Sequence, residues 1–250
     1  MPSFLDGDRQ RGRRRPGDCH PSRRGIGIGW SVYPDTWFSL ILVRQQAGMS
    51  IQPLPSQFLT QLRELEASYV RESDPIRQSG FAGGSERWRL EREPILEPIR
   101  EDGEILDIGC ANGYLLECLV AWARERGISL TPFGVDQGSR LIALARRRLA
   151  EYADHFYVGN AWDWEPPKRY RYVYSVHDCV PEQFLASFVE RLLGSIVAPG
   201  GILIIGAYGS HSRGIEPLEL KQWLIAHGFT PMGGVTVGQP PISRFVGLAA

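Results

Sequence analysis

The sequence lacks an excess of charge of either sign. Its 250 residues include 28 basic and 28 acidic side chains, so the formal net charge is zero. A strongly basic domain would attract nucleic acid or an anionic membrane surface, and a neutral one creates no such field. The composition therefore argues against a nucleic-acid partner.

Cysteines are few, and long apolar runs are missing. The four cysteines, Cys19, Cys110, Cys118 and Cys179, form no C-x-x-C pair, which is typical of a reducing compartment. No run of about 18 apolar residues exists, so we expect no membrane-spanning helix. No group of histidines, cysteines and acidic residues has metal-ligand spacing, so we expect no metal. These absences together predict a cytoplasmic protein.

The first 48 residues differ in composition from the rest of the chain. Seven arginines lie within residues 1–24, mixed with glycine, proline and aspartate and without hydrophobic periodicity. Such a segment cannot bury enough surface to fold alone. A disordered extension, a translation start at Met49 and an RNA-binding arm are the three interpretations of residues 1–48. We expect the extension or the Met49 start, and no contribution of this segment to folding stability.

Residues 49–92 show the spacing of short helices. Apolar residues recur at helical spacing over 56–72, and a second helix is predicted near Ser85, with a break at Pro94. A glycine-rich stretch containing Gly83 and Gly84 separates the two helices. Such a break permits movement, so this segment is predicted either to act as a lid over a site or simply to pack on the domain.

From residue 93 onward, strands and helices alternate. Strands are predicted at 104–108, 131–135, 155–158, 170–176 and 202–208, and two more near 230–237 and 244–249. Helices are predicted at 114–126, 139–152, 182–197 and 216–227. This alternation predicts an α/β fold, a doubly wound and mostly parallel sheet of seven strands with helices on both faces.

Ligands of such sheets bind at the carboxyl ends of the strands. Gly109 and Gly113 follow the first predicted strand and let the backbone turn tightly beside a ligand. Asp136 ends the second strand and could accept hydrogen bonds from both hydroxyls of a ribose. After the third strand, Asn160 offers an amide for an adenine edge and Trp162 a ring for its face. The pattern predicts a nucleoside site.

Four segments in this order resemble the motifs of class I S-adenosylmethionine-dependent methyltransferases. They are Ile105–Gly113, Gly134–Asp136, Gly159–Ala161 and Val197–Ile204, and the likeness extends over residues 93–250. Ala111 stands where the family's glycine loop has its central glycine. The resemblance implies a methyltransferase with S-adenosyl-L-methionine as cofactor, and a sheet whose last strand is antiparallel.

The resemblance also implies roles for individual residues. Gly109, Cys110 and Gly113 would line the methionine part of the cofactor, and Asp107 would brace the loop. Asp136 would hold the ribose. Asn160 and Ala161 would flank the adenine, with Trp162 beside them.

Catalytic residues are sought after the fourth predicted strand. The motifs of amino-methylating and cytosine-methylating enzymes, Asn/Asp-Pro-Pro-Tyr/Phe and Pro-Cys, are missing there, which favours a small-molecule acceptor by analogy. His177 is the candidate general base, with Asp178 as its orienting partner; alternatively, His177 caps the next helix or contacts cofactor. Two other functions stay open, a non-catalytic S-adenosylmethionine-binding module and a nicotinamide-dependent oxidoreductase. The G-x-G-x-x-G pattern of the latter is missing after the first strand.

Overall fold

The structure, a computed structural model, describes residues 52–210 and 213–250. The predictions made for residues 1–48 lie outside the described residues, as do the first three positions of the 49–92 segment. Within the described part, no helix is both long enough and apolar enough to cross a bilayer.

The described residues form six α-helices and seven strands. The helices are α1 (Ser56–Val70), α2 (Ser85–Arg92), α3 (Tyr114–Glu125), α4 (Ser139–Arg148), α5 (Glu182–Arg191) and α6 (Leu220–Ala226). The strands are β1 (Gly103–Ile108), β2 (Leu130–Asp136), β3 (Phe156–Val158), β4 (Tyr170–Val176), β5 (Val197–Tyr208), β6 (Pro231–Val237) and β7 (Ser243–Ala249). Short 3₁₀-helices at Glu93–Leu96, Ala150–His155 and His177–Cys179 extend or connect these elements.

All seven strands form one sheet in the order β3-β2-β1-β4-β5-β7-β6. Strands β1 to β5 pair in parallel, and β7 is antiparallel to both β5 and β6. The predicted fold class is therefore confirmed, including the antiparallel last strand. The order reverses between β1 and β4, and the carboxyl ends of neighbouring strands diverge there to leave a crevice for a ligand.

Side chains alternate across the sheet and bury both of its faces. Leu106 and Ile108 of β1 belong to one core cluster, together with apolar residues of α5 and α6. Ile105 points the other way and belongs to a second cluster, with residues of α2, α3 and α4. Helices on both faces explain why the parallel strands are almost continuously apolar in sequence.

Several element ends differ from the predictions. The helix expected over 139–152 ends at Arg148, and the one expected over 182–197 ends at Arg191 and continues as a single π turn, Leu192–Ile196. The helix expected over 216–227 begins only at Leu220. Arg244 of β7 donates to the Pro217 carbonyl, which holds the chain before Leu220 to β7 and outside the helix. Pro94 does end α2, which gives way to a 3₁₀ turn.

Candidate functional site

The glycine loop after β1 turns back over the end of β2. The amides of Gly109 and Cys110 donate to the Val135 carbonyl, at 2.8 and 3.1 Å. Gly109 and Gly113 have φ of +86° and +75°, and Ala111 has φ of +46°. Three residues with positive φ within five positions give a tight turn, and α3 begins directly after it.

Asp136 lies at the centre of this turn. Its Oδ2 accepts a hydrogen bond from the Ala111 amide at 3.0 Å, and its Oδ1 accepts one from the Gly138 amide at 2.7 Å. Burial raises the pKa of this carboxyl, and the two amides oppose the rise. A carboxylate has about four lone-pair positions, so each oxygen keeps capacity for a further donor. The loop thus fixes the orientation of Asp136 without saturating it.

An open cleft lies at this end of the sheet, with an empty volume of about 520 Å³ including the space open to solvent. The cleft brings together four of the predicted site residues. They are Gly109, Asp136, Asn160 and Ala161. The other lining residues are Val135, Gln137, Leu141, Gly159 and Cys179 of the sheet domain, and Leu62, Leu65, Glu66 and Tyr69 of α1.

Asn160 organises the turn after β3. Its Oδ1 accepts the Trp162 amide at 2.9 Å, and its Nδ2 donates to Gln137 Oε1 at 3.2 Å. Both contacts keep the amide group at the wall of the cleft, where the second N–H of Nδ2 makes no contact with the described residues. That N–H is a donor of the kind that reads an adenine edge.

Five predicted site residues do not line the cleft, namely Asp107, Cys110, Gly113, Trp162 and His177. The Cys110 thiol is buried behind β2, where a Cβ on Gly134 would meet it at 2.7 Å. Gly113 faces α4, and a Cβ there would lie 2.9 Å from the Cβ of Ala145. Its lack of a side chain serves helix packing as well as the turn.

Trp162 also lies outside the cleft. Its Nε1 donates to the Gln52 carbonyl at 2.8 Å, and its ring meets Phe184 edge-on at 5.2 Å between centroids. The ring lines a second cavity together with Pro53, Leu54, Leu59 and Asn160. The predicted stacking of Trp162 on an adenine in the main cleft therefore finds no support in its contacts.

Asp107 is buried at the root of the loop. It is 2 % exposed, and no described residue donates a hydrogen bond to its carboxyl group. Burial, with a smaller contribution from the Asp136 charge, raises the pKa of Asp107 to about 8. An unpartnered carboxyl in the core costs free energy, since the charged form has lost its solvation. We expected Asp107 to brace the loop, but its carboxyl group makes no hydrogen bond with the described residues of the loop.

His177 opens the 3₁₀ turn after β4. Its Nδ1 is buried and has no hydrogen-bond partner among the described residues. Asp178 is exposed and makes no hydrogen bond to His177, so the expected orienting pair is not formed. His177 does not line the cleft, whereas Cys179, two residues later, does.

The sequence analysis gave residues 49–92 as a possible lid, but it did not name Glu66 or Cys179 as residues of the site. The α1 residues in the cleft follow helical spacing, a pattern that predicted the helix without indicating which surface it would cover. Burial, and then the charges of Asp178 and Asp136, raise the pKa of Tyr69 to about 12. Burial likewise raises the pKa of the Cys179 thiol to about 12, so both groups are neutral near pH 7.

Asn112 was also missed as a site residue. It is fully buried, and its Nδ2 donates to the Pro75 carbonyl at 3.0 Å and to Gln78 Oε1 at 3.1 Å. Its Oδ1 accepts the Tyr114 amide at the start of α3. Asn112 therefore fastens the chain that follows α1 onto the glycine loop. Across residues 52–210 and 213–250, no three His, Cys, Asp or Glu side chains are grouped so as to hold a metal ion.

Comparisons with solved structures agree with this architecture. A DhpI–SAH complex superposes with a TM-score of 0.54 at 19% identity, covering 76% of this chain and 95% of that one. A chain from the complex between the Haloferax volcanii Trm112 methyltransferase activator and a presumed methyltransferase gives 0.55 at 16% identity, covering 75% and 97%. No family model and no curated protein matches the chain. The likeness establishes the fold, which is that of the class I methyltransferases.

Proposed function

We propose that the protein is an S-adenosylmethionine-dependent methyltransferase acting on a small-molecule acceptor. The cleft joins a glycine loop, an oriented aspartate and an asparagine turn at the ends of three adjacent strands. The observation that carries the proposal is this convergence of Gly109, Asp136 and Asn160 on one cleft. The Asp136 carboxyl group at its wall offers acceptors to the hydroxyl groups of a ligand.

The charges near the loop fit this cofactor better than a dinucleotide. A pyrophosphate at the loop would approach the Asp136 carboxylate, which lines the cleft, and like charges at short range repel each other. S-adenosylmethionine instead carries a sulfonium and an ammonium group, either of which gains from a nearby carboxylate. Gly109 lines the cleft with its backbone, and a Cβ there would lie 2.9 Å from the Cys179 sulfur.

Each residue then has a defined task in binding. The remaining lone pairs of Asp136 accept hydrogen bonds from ribose hydroxyls. Asn160 and Ala161 form the wall beside the adenine. When bound, the cofactor supplies a methyl group activated by its sulfonium. The chain's residues contribute by holding the two reactants in line, which can supply much of the rate.

His177 is proposed as the general base for an acceptor that must lose a proton. Its Nδ1 is free of hydrogen bonds to the described residues, and it lies next to the segment that lines the cleft. The Cys179 thiol, with a pKa of about 12, stays protonated at neutral pH and is a poor nucleophile. His177 is thus the better candidate to accept a proton.

Calorimetry with purified protein tests the cofactor. We expect S-adenosylmethionine and S-adenosylhomocysteine to bind with a Kd on the order of micromolar, and NAD and NADP to give no heat. Asp136→Ala should weaken binding by about tenfold or more, because a charge-assisted hydrogen bond to the ribose is lost. Tight binding of NAD, together with no measurable binding of S-adenosylhomocysteine, would overturn the assignment.

Transfer of a radiolabelled methyl group to a cell extract tests catalysis and separates an enzyme from a non-catalytic binding module. With the acceptor identified, His177→Ala should leave S-adenosylmethionine binding unchanged and lower kcat by about 100-fold. His177→Gln, which cannot accept a proton at neutral pH, should be equally slow. Full turnover in both variants would remove His177 from the mechanism.

A further inference from the structure

The α1 face that lines the cleft carries one charged side chain. Leu62, Leu65, Glu66 and Tyr69 occupy this face, and Glu66 is the acidic residue among them. Its side chain is 17 % exposed, so most of it lies against the protein. A carboxylate on an otherwise apolar and aromatic face requires partners.

Glu66 has partners for one of its two oxygens. Oε1 accepts hydrogen bonds from the backbone N–H of Arg140 at 3.1 Å and from its Nε at 3.3 Å. These donors belong to the first turn of α4, where a carboxylate is favourable. No described residue donates to Oε2. Half of the acceptor capacity of Glu66 is therefore unused.

Glu66 lies near Asp136, and both residues line the cleft. A Cβ placed on Gly138 would lie 3.0 Å from Glu66 Cγ and 3.1 Å from both Glu66 Cδ and Asp136 Oδ1. The two side chains thus come together beside Gly138, where no side chain separates them. The Glu66 charge adds to the effect of burial in raising the pKa of Asp136. Such a pair is destabilising unless hydrogen-bond donors lie between its members.

A ribose supplies two adjacent hydroxyl donors, one for each carboxylate. We propose that Glu66 is a cofactor-binding residue, whose carboxylate accepts a hydrogen bond from one ribose hydroxyl while Asp136 accepts one from the other. This inference rests on the proposed function. It makes α1 part of the binding site and explains why Gly138 has no side chain. It also selects a free diol, because a phosphate on either hydroxyl would meet two negative charges.

Glu66→Gln tests the contact while keeping the shape of the side chain. The glutamine has one acceptor oxygen, which the Arg140 amide takes, and it presents an NH₂ group in place of Oε2. We expect binding of S-adenosylhomocysteine, measured by calorimetry, to weaken by about tenfold, as a hydrogen bond to a charged group is lost. Glu64→Gln, an exposed residue of the same helix, is the matched control and should bind as the wild type does.

The 2′-deoxy and 3′-deoxy analogues of S-adenosylhomocysteine identify the contact. For the analogue that lacks the hydroxyl bound by Glu66, the wild type and Glu66→Gln should bind equally; for the other, the loss of about tenfold should persist. Unchanged binding of S-adenosylhomocysteine in Glu66→Gln would overturn the proposal, as would equal losses for all three ligands, which indicate a purely structural role. Absence of binding by the wild type would instead overturn the proposed function.

Discussion

Asp107 and Ala111 are the two residues that cost stability where the cleft is formed. Asp107 is a buried carboxyl to which no described residue donates a hydrogen bond, and Ala111 adopts φ of +46°, which non-glycine residues rarely do. Ala111 gives its amide to Asp136 in this conformation, so the unfavourable φ directs a donor to the Asp136 carboxyl group. Costs of this kind concentrate at functional sites.

The pKa of Asp107 leads to a prediction about stability. A folded-state pKa of about 8, against an ordinary value near 4, means that the folded protein keeps a proton that the unfolded chain releases. Stability is therefore lost as pH rises from about 4 to about 8. Asp107→Asn should raise the free energy of unfolding by about 1 kcal/mol at pH 5 and by several kcal/mol at pH 8.

Urea unfolding of both proteins at the two pH values measures this difference. Leu106→Val, at the neighbouring buried position of β1, is a control whose loss of stability should not vary with pH. An Asp107→Asn effect equal at pH 5 and pH 8 would contradict the raised pKa.

Among the elements, the sequence predicted most of what local pattern controls. The five parallel strands and α3 to α5 were predicted close to their positions, because each segment has its own apolar periodicity and glycines mark the turns between segments. The ends of helices and strands were predicted less accurately where contacts with distant residues determine them. The late start of α6 depends on the contact between Pro217 and Arg244, which lies 27 residues after it, and no local pattern could indicate this contact.

The residues of the site also differ in how far the sequence could predict them. Gly109, Asp136, Asn160 and Ala161 follow strands of a recognisable order, so their convergence on one cleft could be predicted from topology. The place of Glu66 in the cleft could not be predicted, because its partner Arg140 is 74 residues away. The sequence of α1 does not indicate which surface the helix packs against. Trp162 is the opposite case, a residue for which the sequence suggested a role in binding that its contacts do not support. An aromatic ring beside a ligand-binding turn resembles a stacking platform, yet its nearest ring is Phe184.

Across the whole molecule, stability is unevenly distributed between the sheet and α1. Strands β1, β4 and β5 lie at the centre of two apolar clusters, whereas α1 contains no buried residue. Its C-terminal end is continuous with the chain that Asn112 fastens to the glycine loop, and the Glu66–Arg140 ion pair joins its middle to α4. An exposed ion pair of this kind contributes little, on the order of 1 kcal/mol or less.

This distribution predicts how amide hydrogens exchange. Amides of α1 between Leu62 and Tyr69 should exchange at least about a hundredfold faster than those of β4 and β5, because local opening of α1 exposes little apolar surface. Saturating S-adenosylhomocysteine should slow exchange in α1, since on our proposal the ligand binds the folded helix and not its locally opened state. The rates in β4 should stay unchanged. In Glu66→Gln, the protection of α1 by the ligand should be smaller. Hydrogen–deuterium exchange followed by mass spectrometry measures all three effects. If α1 exchanges as slowly as β4 without ligand, the helix is a fixed wall of the cleft and its closure plays no part in binding.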